Sequence, residues 1–457
     1  MDHSRRRVLG LAGVAMACAA GASAGVAAGW VDRAGGWARS GERGSQESAK
    51  TRQLQPLWRF PVANPVAVTL TAAGPAVFVS CQLEDKLYAL NAENGSVLWE
   101  ALSAPGASAP VTHGNLAYVM EVDSRLSAVN ITSGEKLWDF PKNDWTVSGP
   151  VLGSSVAYVS SGPPNPSDGP GEIWALDAQT GRPLWRVPSV DGDSPFTATR
   201  EIVYTSSDSL IRALSTADGA EQWKYYSGSS PFALGPQLTQ DIVYISCNGD
   251  SGSILSVLDA STGELLWSSD YPAPLFAMQA VAGNIYTAGN NEEGFVGSFG
   301  VGSTTVISAA KVKDGRQVWR RSLSSLDQAF VASGTIALTF AYPTGISGGI
   351  AYPGGEGSET ELLALSLSDG RVRWRTGSSG WSVTSPPFLA GNWACVGYAK
   401  ESIRVVNLGT GKTKWNFPMA VVSGPVAYNG RIFAVGTDGI ELDGTAGDEG
   451  YVNAMPL

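Results

Sequence analysis

Histidine is almost missing from this chain. There are two in 457 residues, His3 near the start and His113. Only His113 lies beyond the leader described below, so no Ser-His-Asp or Cys-His system can be assembled, and hydrolysis by a histidine-based triad is excluded. The isolated His113, close to a turn signal, reads as a surface residue. Cysteine is scarce too, with four residues and no Cys-x-x-Cys or Cys/His grouping. That excludes zinc and haem sites of the usual spacing. Charged residues make up 16% and lean acidic, 31 Lys+Arg against 41 Asp+Glu. Taking off residues 1–28 removes three Arg and one Asp, which leaves 28 against 40, or −12. A nucleic-acid-binding surface needs the opposite sign, whereas a soluble extracytoplasmic protein suits it. Long hydrophobic runs are also lacking. Residues 8–20 are apolar, but too short and too rich in Ala and Gly to span a bilayer.

Glycine and tryptophan are plentiful, at 55 and 15 residues, and they are patterned. In Ala89-Leu-Asn-Ala-Glu-Asn-Gly-Ser-Val-Leu-Trp99 a small residue is followed six positions on by Gly and four further by Trp. The frame recurs as Ala128/Gly134/Trp138, Ala175/Gly181/Trp185, Ala213/Gly219/Trp223, Val257/Gly263/Trp267, Ala309/Gly315/Trp319, Ala364/Gly370/Trp374 and Val405/Gly411/Trp415. A fixed internal frame with variable spacing between copies marks a repeat architecture. Each copy reads as two strands around a tight turn, in which Gly95 and its equivalents supply the positive φ. The Trp residues read as packing between neighbouring units: each buries roughly 150–250 Å², or about 4–6 kcal/mol gross at ~25 cal/mol per Å². Two further strand signals precede each hairpin: one after a small-residue–Pro step, as at Gly149-Pro150-Val151, and one centred on an aromatic, as at Ala117-Tyr118-Val119.

Four strands per unit predict an all-β β-propeller of four-stranded blades. The ends predict how the ring closes. Leu57-Trp58-Arg59-Phe60 resembles an outer strand without the rest of its unit. The segments around Val426, Phe433 and Val452 resemble a unit without its Leu-Trp strand. Pairing the two gives eight or nine blades, the repeat count favouring nine.

The Ala…Gly…Trp frame resembles the tryptophan-docking repeat of the PQQ-like (quinoprotein-type) β-propeller superfamily, over about residues 57–457. The resemblance admits two kinds of function. PQQ-dependent dehydrogenases of the superfamily hold the quinone between a Trp and a vicinal Cys-Cys disulfide, bind Ca²⁺ through acidic and amide side chains, and use an Asp base. This sequence has no adjacent Cys pair and no clear Ca²⁺ ligand set, so neither cofactor nor metal is expected, and no catalytic residue is assigned. Other members, among them the propeller lipoprotein of the outer-membrane assembly machinery, are scaffolds. The expected function here is a binding or scaffold protein of the cell envelope, monomeric, taking a protein or glycan partner. A PQQ-dependent dehydrogenase and a small-molecule sensor are the alternatives.

In chain order, residues 1–28 read as an export signal, with Ser4-Arg5-Arg6-Arg7-Val8-Leu9 resembling a twin-arginine motif. The product is expected to be extracellular or envelope-associated, with a membrane tether only if Cys18 is lipidated. Residues 29–56 read as a flexible linker and residues 57–457 as the propeller. Cys81, Cys247 and Cys395 fall in the second strands of separate units and read as buried free thiols. Asp191 and Asp193, and Asp438, Glu441 and Asp443, lack an EF-hand spacing and read as solvated loop acids. Four insertions, residues 162–171, 290–304, 343–361 and 439–450, all fall between second and third strands, which puts them on one face of a propeller. The connections between units on that face carry Trp145, Tyr225, Tyr226, Tyr271, Phe276 and Trp381, the candidate binding residues.

Overall fold

A computed structural model describes residues 55–457 other than 104–108, 122–124, 141–145, 164–168, 191, 228–231, 250–251, 291–303, 325, 335, 342–359, 379–386, 399–401, 422–423 and 438–449. The expected signal, the linker through residue 54 and much of the inserted loops therefore lie outside the described residues. One compact unit spans Arg52–Leu457. Its described residues form nine antiparallel sheets. Eight take their strands consecutively from the chain. The first, for example, runs through Val68–Ala73, Ala76–Cys81, Lys86–Asn91 and Val97–Leu102. The ninth is built from both ends. Trp58–Val62 pairs with Gly450–Pro456, which pairs with Arg431–Thr437, and the interrupted strand Ala420–Val421 and Val426–Tyr428 completes it. This is a β-propeller with four-stranded blades, closed by the N-terminal strand.

The repeated residues explain the repeated geometry. Asn91 Oδ1 accepts from the amides of Glu93 and Asn94, an Asx turn that starts the bend. Gly95 follows at φ 74° and donates its amide to Asn91 O. The register slips by one residue just past Ala89, the bulge that accompanies such a turn. The slip sets Ala89 directly across from Trp99. The same pairing joins Ala213 to Trp223 and Val405 to Trp415. In several sheets the aromatic of the second strand packs behind the Trp of the same sheet. Phe78–Trp99, Tyr118–Trp138, Tyr158–Trp185, Tyr204–Trp223 and Tyr286–Trp319 have ring centroids 5.8–5.9 Å apart.

Eight of the nine indoles then reach the next sheet, where Nε1 donates to a carbonyl and the ring covers the docking Gly. Trp58 reaches Ala92 O, Trp99 Ile131 O, Trp138 Ala178 O, Trp185 Thr216 O, Trp223 Ala260 O, Trp267 Val312 O, Trp319 Leu367 O and Trp374 Leu408 O, at 2.6–3.1 Å. A Cβ on the facing Gly95, Gly134, Gly181, Gly219, Gly263, Gly315, Gly370 or Gly411 would lie 2.5–2.9 Å from an indole carbon, so only glycine fits. The core is correspondingly divided into nine clusters, each shared by two neighbouring sheets. The last joins the eighth sheet to the ninth through Trp415, Phe417, Ile432 and Met455. The Trp residues thus pack between units, as their spacing predicts.

Candidate functional site

In a four-stranded blade, the connection between second and third strands shares a face with the connection to the next blade. The described strands place all four insertions there. They lie between Val156–Gly162 and Glu172–Asp177, Asn284–Asn290 and Thr304–Lys311, Ile336–Ala341 and Thr360–Ser366, and Arg431–Thr437 and Gly450–Pro456. The opposite face carries the Asx–Gly turns.

The candidate aromatics are spread around the insertion face. Tyr225 and Tyr226 end the strand Glu221–Tyr226, Tyr271 ends Leu265–Tyr271, and Phe276 sits in Leu275–Val281. None of these four lies in a connection: the strands extend past the turn signals because pairing continues to the last residue, as at Leu210–Tyr226 and Ser253–Tyr271. Tyr226 is 49% exposed. Tyr225, Tyr271 and Phe276 are half-buried and pack on three different core clusters. Trp145 and Trp381 lie outside the described residues. The described four therefore do not form one aromatic cluster.

The expected solvated acid Asp193 is a correction. Its side chain is fully buried and paired with Arg212, itself 6% exposed, at 3.3 Å. Asp193 also accepts from Ser189 Oγ, the Val190 amide and Thr205 Oγ1. Arg212 donates further to Pro188 O and Glu221. Burial is favoured because every charge is matched and hydrogen-bonded. The network ties the connection between the third and fourth sheets to the strand Leu210–Ser215. The sequence signal was Arg212 itself, an arginine inside the apolar run Leu210-Ile211-Arg212-Ala213-Leu214. Asp191, Asp438, Glu441 and Asp443 lie outside the described residues.

Beside this network is a cleft of about 380 Å³, lined by Ser160, Gly162, Gly171, Ser189, Gly192 and Asp193 among others. It opens at the two ends of the 162–171 insertion. The Asp193 oxygens are already paired with protein donors, so among the described lining residues the cleft offers serine hydroxyls and no free acid or base. Among the described residues no group of three His, Cys, Asp or Glu could hold a metal ion. His113 is half-buried at the end of Val111–His113.

The cysteines test the quinone site that the resemblance implies. Cys81, Cys247 and Cys395 are free and buried, each in a second strand and each in a different core cluster. Burial pushes the Cys81 and Cys395 thiols up to about 12 and raises that of Cys247. These thiols cannot form a vicinal disulfide over a quinone. Among the described residues the cysteines do not fit the disulfide that would hold that cofactor.

Comparison with known proteins agrees with the repeat. Assembly factor BamB of Burkholderia pseudomallei is 24% identical over 250 residues, half of this chain and 62% of that protein. Tetrathionate hydrolase of Acidithiobacillus ferrooxidans is 23% identical over 331 residues, 57% of this chain and again 62% of that protein. The chain thus spans less than two thirds of these relatives. The crystal structure of BamB from Moraxella catarrhalis superposes with a TM-score of 0.45 at 16% identity, covering 75% of this chain and 94% of that one. Among the described residues no helix is long and apolar enough to cross a membrane. The family described as outer membrane protein assembly factor BamB matches over residues 48–161, 142–284 and 302–454, nearly the whole propeller, and the chain belongs to that family.

Proposed function

We propose that this protein is an exported scaffold of the cell envelope that presents the insertion face of its propeller to another protein. The observation that carries the reading is the placement of all four long insertions between second and third strands, and so on one face. Random tolerance of length would distribute insertions over both faces. Three supports accompany it. The matched family is named for outer-membrane protein assembly, the leader resembles a twin-arginine export signal, and the acidic balance suits an extracytoplasmic protein rather than a nucleic-acid binder. Protein is favoured over glycan as partner on the family's name. Tyr226, exposed at the end of its strand, supplies contact area on that face.

Site-specific photo-crosslinking in the host tests this. A photoreactive residue replaces Tyr226 on the insertion face or Leu184, 43% exposed beside a turn on the opposite face. The expected result is a discrete protein adduct from position 226 and none from 184. Adducts from 184 alone, or from neither, would overturn the reading.

The dehydrogenase reading is tested separately by titrating the mature protein with PQQ, with and without Ca²⁺, followed by quinone absorbance and dye-linked oxidation. No saturable binding is expected, because the cysteines lie in separate seams. Saturable binding with turnover would replace the scaffold reading with the enzymatic one.

A further inference from the structure

We propose that the ring has one built-in point of opening, the seam between the eighth sheet (Phe388–Ala390, Trp393–Tyr398, Ser402–Asn407, Thr413–Pro418) and the ninth. Eight seams are fastened identically, by an indole N–H to a carbonyl of the next sheet and an indole laid on a glycine. The ninth has neither. Trp415 Nε1 is buried without a hydrogen-bond partner, and no described glycine packs on the Trp415 ring.

The cause can be traced to particular residues. Each docking Gly stands four positions before the Trp of its own sheet, as Gly95 does before Trp99. In the ninth sheet that Trp is Trp58, and the sequence four positions before it has Leu54, which lies outside the described residues. At the other eight docking positions a Cβ would come within 2.5–2.9 Å of an indole carbon, which is why glycine stands there. The acceptor side differs as well. Leu457 donates its amide to Gly430 O as Ala92 does to Pro75 O, so Leu457 O corresponds to the acceptor of the Trp58 indole. It accepts from Lys414 Nζ at 2.8 Å and not from the Trp415 indole. A buried donor left unpaired loses its hydration without compensation. This seam therefore starts from a deficit that the other eight do not have, and local opening follows the least stable contacts.

The protein carries its own probes. Cys395 is in the core cluster of this seam, Cys81 in that of the ninth and first sheets, and Cys247 in that of the fourth and fifth. The mature wild-type chain is treated with iodoacetamide in a urea series that ends in the unfolded state, where all three thiols react. Alkylation at each is read by peptide mass mapping. Below the transition Cys395 is expected to react at least ten-fold faster than Cys81 and Cys247, although it is the most deeply buried of the three. Equal rates would mean that opening is only global, and a lead for Cys81 or Cys247 would place the weak seam elsewhere; either overturns the proposal. A second measurement compares Trp415→Phe with Trp223→Phe, which lies in the Cys247 seam and donates to Ala260 O. Trp223→Phe should speed Cys247 alkylation ten-fold or more, whereas Trp415→Phe, which deletes an unpaired donor, should change Cys395 alkylation less than three-fold. Equal acceleration at both seams would also sink the idea.

Discussion

Arg59 and Asn453 stand 394 positions apart in the chain and side by side in the fold. Arg59 Nε donates to Asn453 Oδ1 at 2.8 Å, and the guanidinium lies 4.4 Å from the centre of the Tyr451 ring. The contact belongs to the pairing of Trp58–Val62 with Gly450–Pro456, in which Trp58 faces Ala454. Trp58 then docks on the first sheet at Gly95. A chain starting at Asn64 lacks both the outer strand of the ninth sheet and one of the eight complete docking contacts. It is expected to lose the cooperative urea transition shown by a chain starting at Leu54, as followed by Trp fluorescence and gel filtration.

The Asp193–Arg212 pair makes a sharper prediction. Arg212→Ala leaves a fully buried carboxylate whose charge partner is gone, a change that costs about 3–5 kcal/mol. Asp193→Ala should cost less, because Arg212 keeps its ion pair with Glu221 and its bond to Pro188 O. The double substitution should cost less than the sum, because each single change already breaks the same network. Urea midpoints of the three variants at constant slope provide the check. Additive losses would show that the pair is not coupled.

Gly263→Ala should be far more damaging than a methyl group suggests. Gly263 has φ 72°, and a Cβ there would lie 2.6 Å from the Trp223 indole. Left-handed backbone costs an L-residue about 1–2 kcal/mol, and forcing a packed ring aside adds about 1–3 kcal/mol. By contrast Gly283→Ala, at φ 77° with nothing within 4 Å of its Cβ, should show only the backbone part. The difference between the two unfolding free energies measures the docking contact alone.

Alkaline pH should unfold the ring in a defined window. Burial pushes the Tyr118, Tyr158 and Tyr204 hydroxyls up to about 12 from an ordinary 10.0. Because the folded values are raised, their stabilisation is complete below pH 10.0 and is lost as pH climbs towards about 12. Tyr118 and Tyr204 add a structural link, since each donates to the carbonyl that also receives the Trp138 or Trp223 indole. The tyrosinate absorbance of these residues should therefore rise together with the loss of β-sheet circular dichroism. Ionisation of all tyrosines near 10 with the sheets intact would contradict it.

Most of the fold can be read in the sequence because its cause is local and repeated. Six residues from Ala to Gly and four more to Trp prescribe an Asx turn, a bulge and an outer strand, and eight Trp residues at that frame together with the lone Leu57-Trp58 strand match the nine sheets. Ring closure was legible for the same reason: Leu57-Trp58 matches the outer strand that the final unit lacks. The position of the insertions followed from strand order alone. Other features depend on what lies across a seam, which no local pattern records. Asp193 looks like a loop acid until Arg212, nineteen residues on, is folded against it. Tyr225, Tyr271 and Phe276 look like one aromatic face until the blades separate them into three clusters. Trp415 repeats the frame of its fellows, yet its N–H has no partner and no described glycine packs on its ring. Sequence fixes what each blade is, since turns and pairing are short-range; the tertiary structure decides how blades meet, since burial and pairing of charge depend on residues brought together only by closing the ring.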